Sequence, residues 1–232
     1  MPLPWGLWMV IEGDVRFLAH RDCARLIERA GARAHLPLKY TEGFNPHPVL
    51  SLVLPRPVGV ASRDDLVVLR LTEPLPGKEI LTRMNRQVPS GVRFTRAETL
   101  ASRPRPKALR AWYEWPVPPG RAEALAPRVE AFREAASWPI ERHGAPRRRG
   151  EPARTRRLDL TPLVPQLAFD AHRLHWTLAP VGDVWARPAE VLEALGLDGR
   201  VDLASVVRTA VDYGIQPPAQ GAQGPTAHKD SP

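Results

Sequence analysis

The chain has 232 residues, 43% of them hydrophobic, which is enough for one large domain or two of roughly 100 residues each. No run approaches the roughly 20 apolar residues that cross a bilayer, and the first residues lack the basic and apolar regions of a signal peptide. With Cys23 as the single cysteine and a formal net charge of +8, we expect a cytoplasmic protein with no internal disulfide and no cysteine-bound iron–sulfur cluster of its own.

The first 100 residues are predicted to follow the order β-α-β-β-α-β, which is that of a ferredoxin-like unit. Apolar residues at helical spacing after His20 predict a helix, and short apolar runs bounded by turn residues predict strands. The predicted strands are 7–12 with 15–18, 36–40, 49–54, 65–71 and 92–98, and the predicted helices are 20–32 and 78–86.

The second half is predicted to repeat this pattern after a linker at 101–109 that is rich in proline and arginine. Residues 110–214 then form a second ferredoxin-like half, and 215–232 form a disordered tail without apolar periodicity. The predicted strands are 111–117, 138–142, 156–160, 166–170, 174–178 and 203–212, and the predicted helices are 122–136 and 188–195.

Residues 40–48 predict a stiff loop that displays side chains in fixed directions. Asn45 and His47 each precede a proline, which biases both towards an extended conformation, and Gly43 permits a positive φ. Phe44, Asn45 and His47 then present an aromatic ring, an amide and an imidazole together, which is typical of a binding site. The alternative is a rigid connector with Phe44 tucked into the core.

The first predicted helix carries arginine at every fourth position, which places a stripe of like charge along it. This pattern favours a ridge that follows phosphates, because the guanidinium fork matches phosphate geometry. An ordinary solvated helix face is the alternative. The four residues are Arg21, Arg25, Arg29 and Arg33.

Residues 101–160 hold 14 Lys and Arg against 7 Asp and Glu, so the middle of the chain is its most basic part. The segment around 142–157 predicts an arginine-rich loop, of a kind that binds RNA, although a solvated loop without a partner fits as well. Its members are Arg142, Arg147, Arg148, Arg149, Arg154, Arg156 and Arg157. Nearby, Trp112 should face the opposite side of a strand from Tyr113 and Trp115, so that one set belongs to the core.

His20 and His47 are candidates for acid–base chemistry, with Glu42 as a third member, because imidazole titrates near neutral pH. Their spacing, with Asp22 included, matches no metal-ligand motif, and we expect no metal site. The sequence holds no P-loop, dinucleotide-binding glycine pattern or nucleophile elbow, and therefore no cofactor motif.

Several motifs resemble the DUF2344 family of proteins linked to radical SAM proteins. The most specific are Phe17-Leu18-Ala19-His20-Arg21-Asp22, Gly43-Phe44-Asn45-Pro46-His47-Pro48 and Leu54-Pro55-Arg56-Pro57-Val58-Gly59-Val60. Weaker ones follow at Leu158-Asp159-Leu160-Thr161-Pro162-Leu163, Arg187-Pro188-Ala189-Glu190-Val191-Leu192 and Arg208-Thr209-Ala210, so that the resemblance covers about 8–212.

The resemblance implies a radical SAM protein as partner, with the iron–sulfur cluster and S-adenosylmethionine on that partner and no cofactor in this chain. The genes that accompany the family imply RNA or a ribosome-related substrate. We therefore expect a non-catalytic accessory module that binds RNA through the arginine and loop residues above. The alternatives are an adaptor that docks the partner through Phe44 without nucleic acid, and an RNA-processing enzyme that uses His20 and His47.

Overall fold

The computed structural model describes residues 3–101, 105–144, 155–170 and 172–215. Within these ranges the chain is a mixed α+β protein with four α-helices, an eight-stranded and mostly antiparallel sheet, and a separate two-stranded hairpin. This confirms the predicted α+β class. None of the helices in the described ranges is both long enough and apolar enough to cross a membrane.

The first half places four strands in the order β4-β1-β3-β2, with every neighbouring pair antiparallel. One helix connects β1 to β2 and the other connects β3 to β4. The elements are β1 (Leu3–Ile11), α1 (His20–Arg33), β2 (Leu50–Leu52), β3 (Ala61–Leu71), α2 (Gly77–Asn85) and β4 (Val92–Thr99).

The second half places its strands in the order β10-β5-β9-β8, again with antiparallel neighbours. Within the described part of the chain, β6 and β7 pair only with each other and form a sheet of their own. The elements are β5 (Arg110–Pro116), α3 (Ala122–Glu134), β6 (Pro139–His143), β7 (Thr155–Asp159), β8 (Gln166–Phe169), β9 (Arg173–Leu178), α4 (Pro188–Ala194) and β10 (Val207–Asp212).

Two predicted strands are wrong. Residues 15–18 belong largely to a 3-10 helix at Gly13–Phe17, because Gly13 adopts a φ of 60° and turns the chain out of β1. Residues 36–40 make only the single bridges Leu38–Leu71 and Tyr40–Pro48, and Pro37 has no N–H to donate to a ladder. The last predicted strand starts later, because Asp202–Ser205 is a 3-10 turn.

Each half buries one face of its strands under its helices. In the first half the alternate β1 residues Trp5, Leu7, Met9 and Ile11 pack with apolar residues of α1 and α2. In the second half the strand residues Tyr113, Trp115 and Trp176 pack with apolar residues of α3 and α4. Period-2 alternation in the strands and helical spacing in the helices therefore meet on one face of each half.

The two halves join through β3 and β10, which pair in parallel at Ala61–Val207 and Ser62–Arg208. Strands from both sides of the predicted boundary thus lie in one sheet. The described residues of the predicted linker are 101 and 105–109. Residues 102–104, and 216–232 of the predicted tail, lie outside the described ranges.

A buried ionic cluster lies at this joint, and we call Arg56, Asp65 and Arg208 the polar junction. Arg208 is fully buried and donates to Asp65 with Nη2 2.6 Å from Oδ1. Arg56 Nε lies 3.8 Å from the other carboxylate oxygen. Arg56 also donates to the carbonyl oxygen of Arg16 at 2.6 Å, so the junction ties β3 and β10 to the residues that precede α1.

Burial works against the charge on Arg208, but neighbouring Asp65, Tyr113 and Tyr213 outweigh it, and the pKa of Arg208 is raised above its ordinary value. A paired guanidinium is stable in such a place only while its carboxylate remains. Both arginines of the junction therefore depend on the Asp65 carboxylate for their counter-charge.

Replacing Asp65 with Asn should lower the free energy of unfolding by about 3–5 kcal/mol, because it leaves two buried guanidinium groups without a counter-charge. Urea unfolding of the wild type and of Asp65→Asn measures the loss. Asp22→Asn is the matched control, since Asp22 pairs with Arg25 on the exposed side of α1, and it should change stability by no more than about 0.5 kcal/mol. Equal effects of the two substitutions would contradict the role of the junction.

Candidate functional site

The chain at 40–48 closes on itself, and we call it the projecting loop. The Thr41 N–H donates to the His47 carbonyl oxygen at 2.9 Å, and the His47 N–H donates to the Thr41 hydroxyl oxygen at 3.1 Å. Below this closure the Val49 N–H donates to the Lys39 carbonyl oxygen at 2.8 Å. Gly43 has a φ of 120°, which is strained for other residues. The loop is held at its base by its own backbone.

The projecting loop carries its aromatic ring in solvent. Phe44 is fully exposed, with a relative accessibility of 106%, so it does not pack into the core. Glu42, Asn45 and His47 are exposed as well, and Tyr40 is 44% exposed. An exposed phenylalanine forgoes about 1.5–3 kcal/mol of burial free energy, which a partner that covers the ring can recover.

The His47 imidazole is oriented by two neighbours in the same loop. Its Nδ1 lies 3.2 Å from the Thr41 hydroxyl and 3.3 Å from the Asn45 carbonyl oxygen. These contacts leave Nε2 directed away from the loop's own hydrogen bonds. His47 can therefore offer one hydrogen-bonding atom to a ligand in a fixed direction.

His20 lies at the opposite end of β2 from the projecting loop. It is the first residue of α1 and borders a cavity of about 10 Å³ together with Leu54 and Asp65. The loop instead precedes β2, and at its base the Lys39 N–H donates to the Arg70 carbonyl oxygen of β3 at 2.8 Å. Asp65 and Arg70 are five residues apart on β3, a spacing of about 17 Å along a strand. The structure does not bring His20 together with His47 or Glu42.

Three arginines of α1 form an exposed row, which we call the arginine ridge: Arg21, Arg25 and Arg29. Within the described residues, Arg21 and Arg29 have no ion-pair partner, and Arg25 lies 3.6 Å from the exposed Asp22. Four residues advance a helix by one turn and about 40°. By Arg33 the row has rotated, and this side chain donates to the Gln87 carbonyl oxygen at 2.8 Å. The ridge itself is accessible to an anion.

The arginines of the β6–β7 hairpin divide into different roles. Arg142 donates from Nε and Nη2 to the two carboxylate oxygens of Glu190, both at 2.6 Å, and ties β6 to α4. Although predicted as part of the basic loop, it has a structural partner. Arg156 and Arg157 are exposed on β7, and Arg157 lies 3.4 Å from Glu141. The predicted binding residues Arg147, Arg148, Arg149 and Arg154 lie outside the described ranges.

A family model described as "Uncharacterized protein conserved in bacteria (DUF2344)" matches residues 7–187. The chain belongs to the DUF2344 family. The matched segment contains the arginine ridge, the projecting loop, two residues of the polar junction and the β6–β7 hairpin. It ends before Arg208, whose resemblance to the family therefore lies beyond the matched residues. A search of curated proteins finds no match to the chain.

The DUF2344 match also contains two residues whose roles could not be predicted. Arg56 and Asp65 were visible in the sequence, Arg56 inside a family motif, but nothing marks an arginine as buried until its partner is known. Arg56 Nη2 lies 3.6 Å from the Cys23 sulfur. Burial raises the pKa of the Cys23 thiol, although Arg56 opposes the shift, so this cysteine is a neutral buried group and not an activated nucleophile.

In the described part of this DUF2344 chain, no three His, Cys, Asp or Glu side chains cluster closely enough to hold a metal ion. His175 Nε2 lies 3.6 Å from Asp170 Oδ2 on the second half, away from His20 and His47. The accessible groups at the candidate site are the arginines of the ridge, an aromatic ring, an amide and an imidazole, together with the carboxylates of Asp22 and Glu42. Such a set binds anionic and aromatic ligands.

The base of the β6–β7 hairpin should be sensitive to acid through Asp159. The Trp138 N–H, the Ser137 hydroxyl and the Thr161 N–H donate to its carboxylate and lower its pKa to about 2. The stabilisation is present above the unfolded pKa of about 3.9 and is lost as the pH falls through the folded value.

Asp159→Asn should therefore lose less stability than the wild type between pH 4 and pH 2, as measured by chemical unfolding across that range. Asp183→Asn should follow the wild-type profile, because Asp183 is exposed and pairs with Lys107 alone among the described residues. A wild-type slope in the Asp159 variant would show that these hydrogen bonds do not stabilise the hairpin.

Proposed function

We propose that this DUF2344 protein is a non-catalytic accessory module that binds RNA and acts with a radical SAM protein. The observation that carries the RNA part is the exposed arginine ridge on α1. Arg21 and Arg29 lack ion-pair partners among the described residues, so they can take phosphates without first giving up a protein contact. The iron–sulfur cluster and S-adenosylmethionine belong to the partner in this proposal.

The position of the projecting loop supports the same proposal. Gly31 in the last turn of α1 lies against Leu38, and the loop begins two residues later. The ridge thus leads along α1 towards a loop that offers Phe44 for stacking and Asn45 and His47 for hydrogen bonds. Cationic tracks followed by aromatic groups suit single-stranded RNA. The exposed Arg156 and Arg157 would add a second basic segment.

The non-catalytic part of the proposal is supported by the separation of His20 from His47 along β2. An RNA-processing enzyme that uses both imidazole rings would need them within hydrogen-bonding reach of one phosphate group, so that one ring could accept a proton and the other donate one. We further propose a cytoplasmic location, in keeping with a sequence whose single cysteine allows no internal disulfide.

The strand orders β4-β1-β3-β2 and β10-β5-β9-β8 support a finer description of the fold as two ferredoxin-like units in tandem. In each half the two helices lie on one face, and the β6–β7 hairpin is then an insertion between α3 and β8. An origin by duplication would make the halves equivalent in topology while leaving their surfaces free to differ.

Neutralising the ridge should weaken RNA binding and reduce its salt dependence. We expect Arg21→Gln/Arg25→Gln/Arg29→Gln to lower the slope of log affinity against log salt by about 2, since each lost phosphate contact contributes about 0.7 for a single strand. Filter binding to tRNA and to ribosomal RNA fragments at several salt concentrations measures both quantities.

The control is Lys78→Gln/Lys107→Gln/Arg200→Gln, which removes the same charge from exposed sites elsewhere. It should keep the wild-type slope. An equal loss in both triple variants would reduce the effect to net charge, and unchanged binding in the ridge variant would contradict the proposal.

An adaptor without nucleic acid is the second candidate, and the full exposure of Phe44 favours it. Phe44→Ala should then weaken co-purification with the radical SAM partner by about 10-fold or more, as expected for an aromatic anchor. The ridge variant should retain the partner. Val181→Ala is the matched control, because Val181 is also an exposed apolar residue, at 52%. Retention of the partner by Phe44→Ala would exclude docking through this ring.

A further inference from the structure

One tryptophan of the chain is not used to build a core. Six of the seven belong to a hydrophobic core cluster or pack against one: Trp5, Trp8, Trp115, Trp138, Trp176 and Trp185. Trp112 does neither and is partly exposed. Packing within the core therefore does not explain why a large aromatic side chain stands at this position.

The alternation of β5 determines where Trp112 faces. Its neighbours Tyr113 and Trp115 are buried under α3 and α4, and Tyr113 stacks on Trp176 with ring centroids 5.6 Å apart. Trp112 therefore lies on the opposite face of the sheet, which those helices leave uncovered. This outcome resolves the predicted split between Trp112 and the pair Tyr113 and Trp115.

A cleft of about 630 Å³ lies beside Trp112, within the range of small-molecule sites. Its lining includes Gln166 and Thr177 from the same face of the sheet and reaches Phe132 and Arg133 at the end of α3. The strand register aligns Trp112 with Thr177 and Thr177 with Gln166, so the three form a row on the cleft floor. The Thr177 hydroxyl donates to Gln166 Oε1 at 3.0 Å. The amide is thereby oriented with both Nε2 hydrogens available to a ligand.

The charge at the cleft comes from Arg133, which lines it. Its only ion pair among the described residues is with Glu130 at 2.8 Å, and both side chains are more than half exposed, so a phosphate can compete for it. Arg63 and Arg173 on the same face are already paired with the buried Glu114, at 3.1 and 3.0 Å. Among the described residues that line the cleft, Arg133 is the one arginine or lysine, so it is the group placed to meet an anionic ligand.

We propose that this cleft binds a nucleotide, with the base stacked on Trp112, a polar edge of the base hydrogen-bonded to the Gln166 amide, and the phosphate near Arg133. The ligand is a free ribonucleotide or one residue of a single-stranded RNA, which present the same chemistry. The proposal goes beyond the RNA-binding function above, because it uses no residue of the arginine ridge or the projecting loop.

The wild-type protein tests the proposal through the indole N–H resonances of its seven tryptophans, with Trp112 assigned from Trp112→Phe. Titration with AMP, GMP, CMP and UMP, and with hexa-adenosine and hexa-uridine oligoribonucleotides, should shift the Trp112 resonance in a saturable manner. Saturation by a mononucleotide identifies a free-nucleotide site, and saturation by oligomers alone identifies an RNA site. A Trp112 resonance that no probe shifts overturns the proposal.

Variants then test the assigned contacts in the ridge-neutralised background, where binding through α1 is removed. Trp112→Leu should weaken binding of the shifting probe by about 5- to 100-fold, the effect of losing one base–aromatic stack, whereas Trp112→Phe should retain most of the affinity. Gln166→Ala should alter the preference among the four bases. Trp185→Phe is the matched control and should bind as the background does.

If Trp112→Leu binds the probe as tightly as the ridge-neutralised background does, with unchanged thermal unfolding, the ligand binds elsewhere and the proposal is overturned. Failure of the ridge proposal would be seen in a different measurement. The ridge variant would then keep its full affinity for tRNA, whatever the result for Trp112→Leu.

Discussion

The carboxylate of Asp65 holds the two halves of this protein in one sheet. It pairs with Arg208 from β10 and lies beside Arg56 from the segment after β2, and all three side chains are buried. Two hydrophobic surfaces can slide over one another, but a buried guanidinium has only a few acceptable positions, because every misplaced donor costs free energy. The junction therefore favours one register of β3 against β10, as does the Val211 N–H, which donates to Asp64 Oδ2 at 2.9 Å. Through the bond from Arg56 to Arg16 it also sets where α1, and with it the arginine ridge, begins.

Local patterns predicted the elements well and their distant contacts poorly. The apolar spacing of Cys23, Leu26, Ile27 and Ala30 predicted α1, and in the structure Cys23, Ile27 and Ala30 are buried while Leu26 is partly buried. The strand predicted at 15–18 failed because this four-residue segment, which includes Arg16, has no intrinsic preference strong enough to resist the turn at Gly13. The pairing of β3 with β10 joins residues more than a hundred positions apart, and no periodicity within either strand specifies its partner.

The candidate site shows the same division between local and distant effects. The prolines at 46 and 48 and the glycine at 43 predicted a stiff loop, and the loop is closed by contacts between Thr41 and His47 that lie only six residues apart. The sequence could not show that His20 and His47 are separated, because neighbouring elements in the chain can meet at either end of a strand. Arg142 was grouped with the loop arginines because its partner, Glu190, is 48 residues away. A charged residue can be assigned to binding or to structure only when its partner is known.

The two halves share a strand order but treat corresponding tryptophans differently. In β1, Trp8 also lies on the face away from the helices, yet it is buried, and Arg96 from the adjacent β4 covers its ring at 3.6 Å. In β5, Trp112 has no such cover, and its cross-strand neighbours are the small Thr177 and Ala210. Trp8 is buried by its hydrophobic cluster as well as by Arg96, whereas Trp112 has small cross-strand neighbours and remains partly exposed. The two halves thus share a strand order, and the exposure of these two tryptophans differs because their neighbouring side chains differ. The exposed arginines of α1 therefore belong to the first half, and the partly exposed Trp112 of β5 belongs to the second.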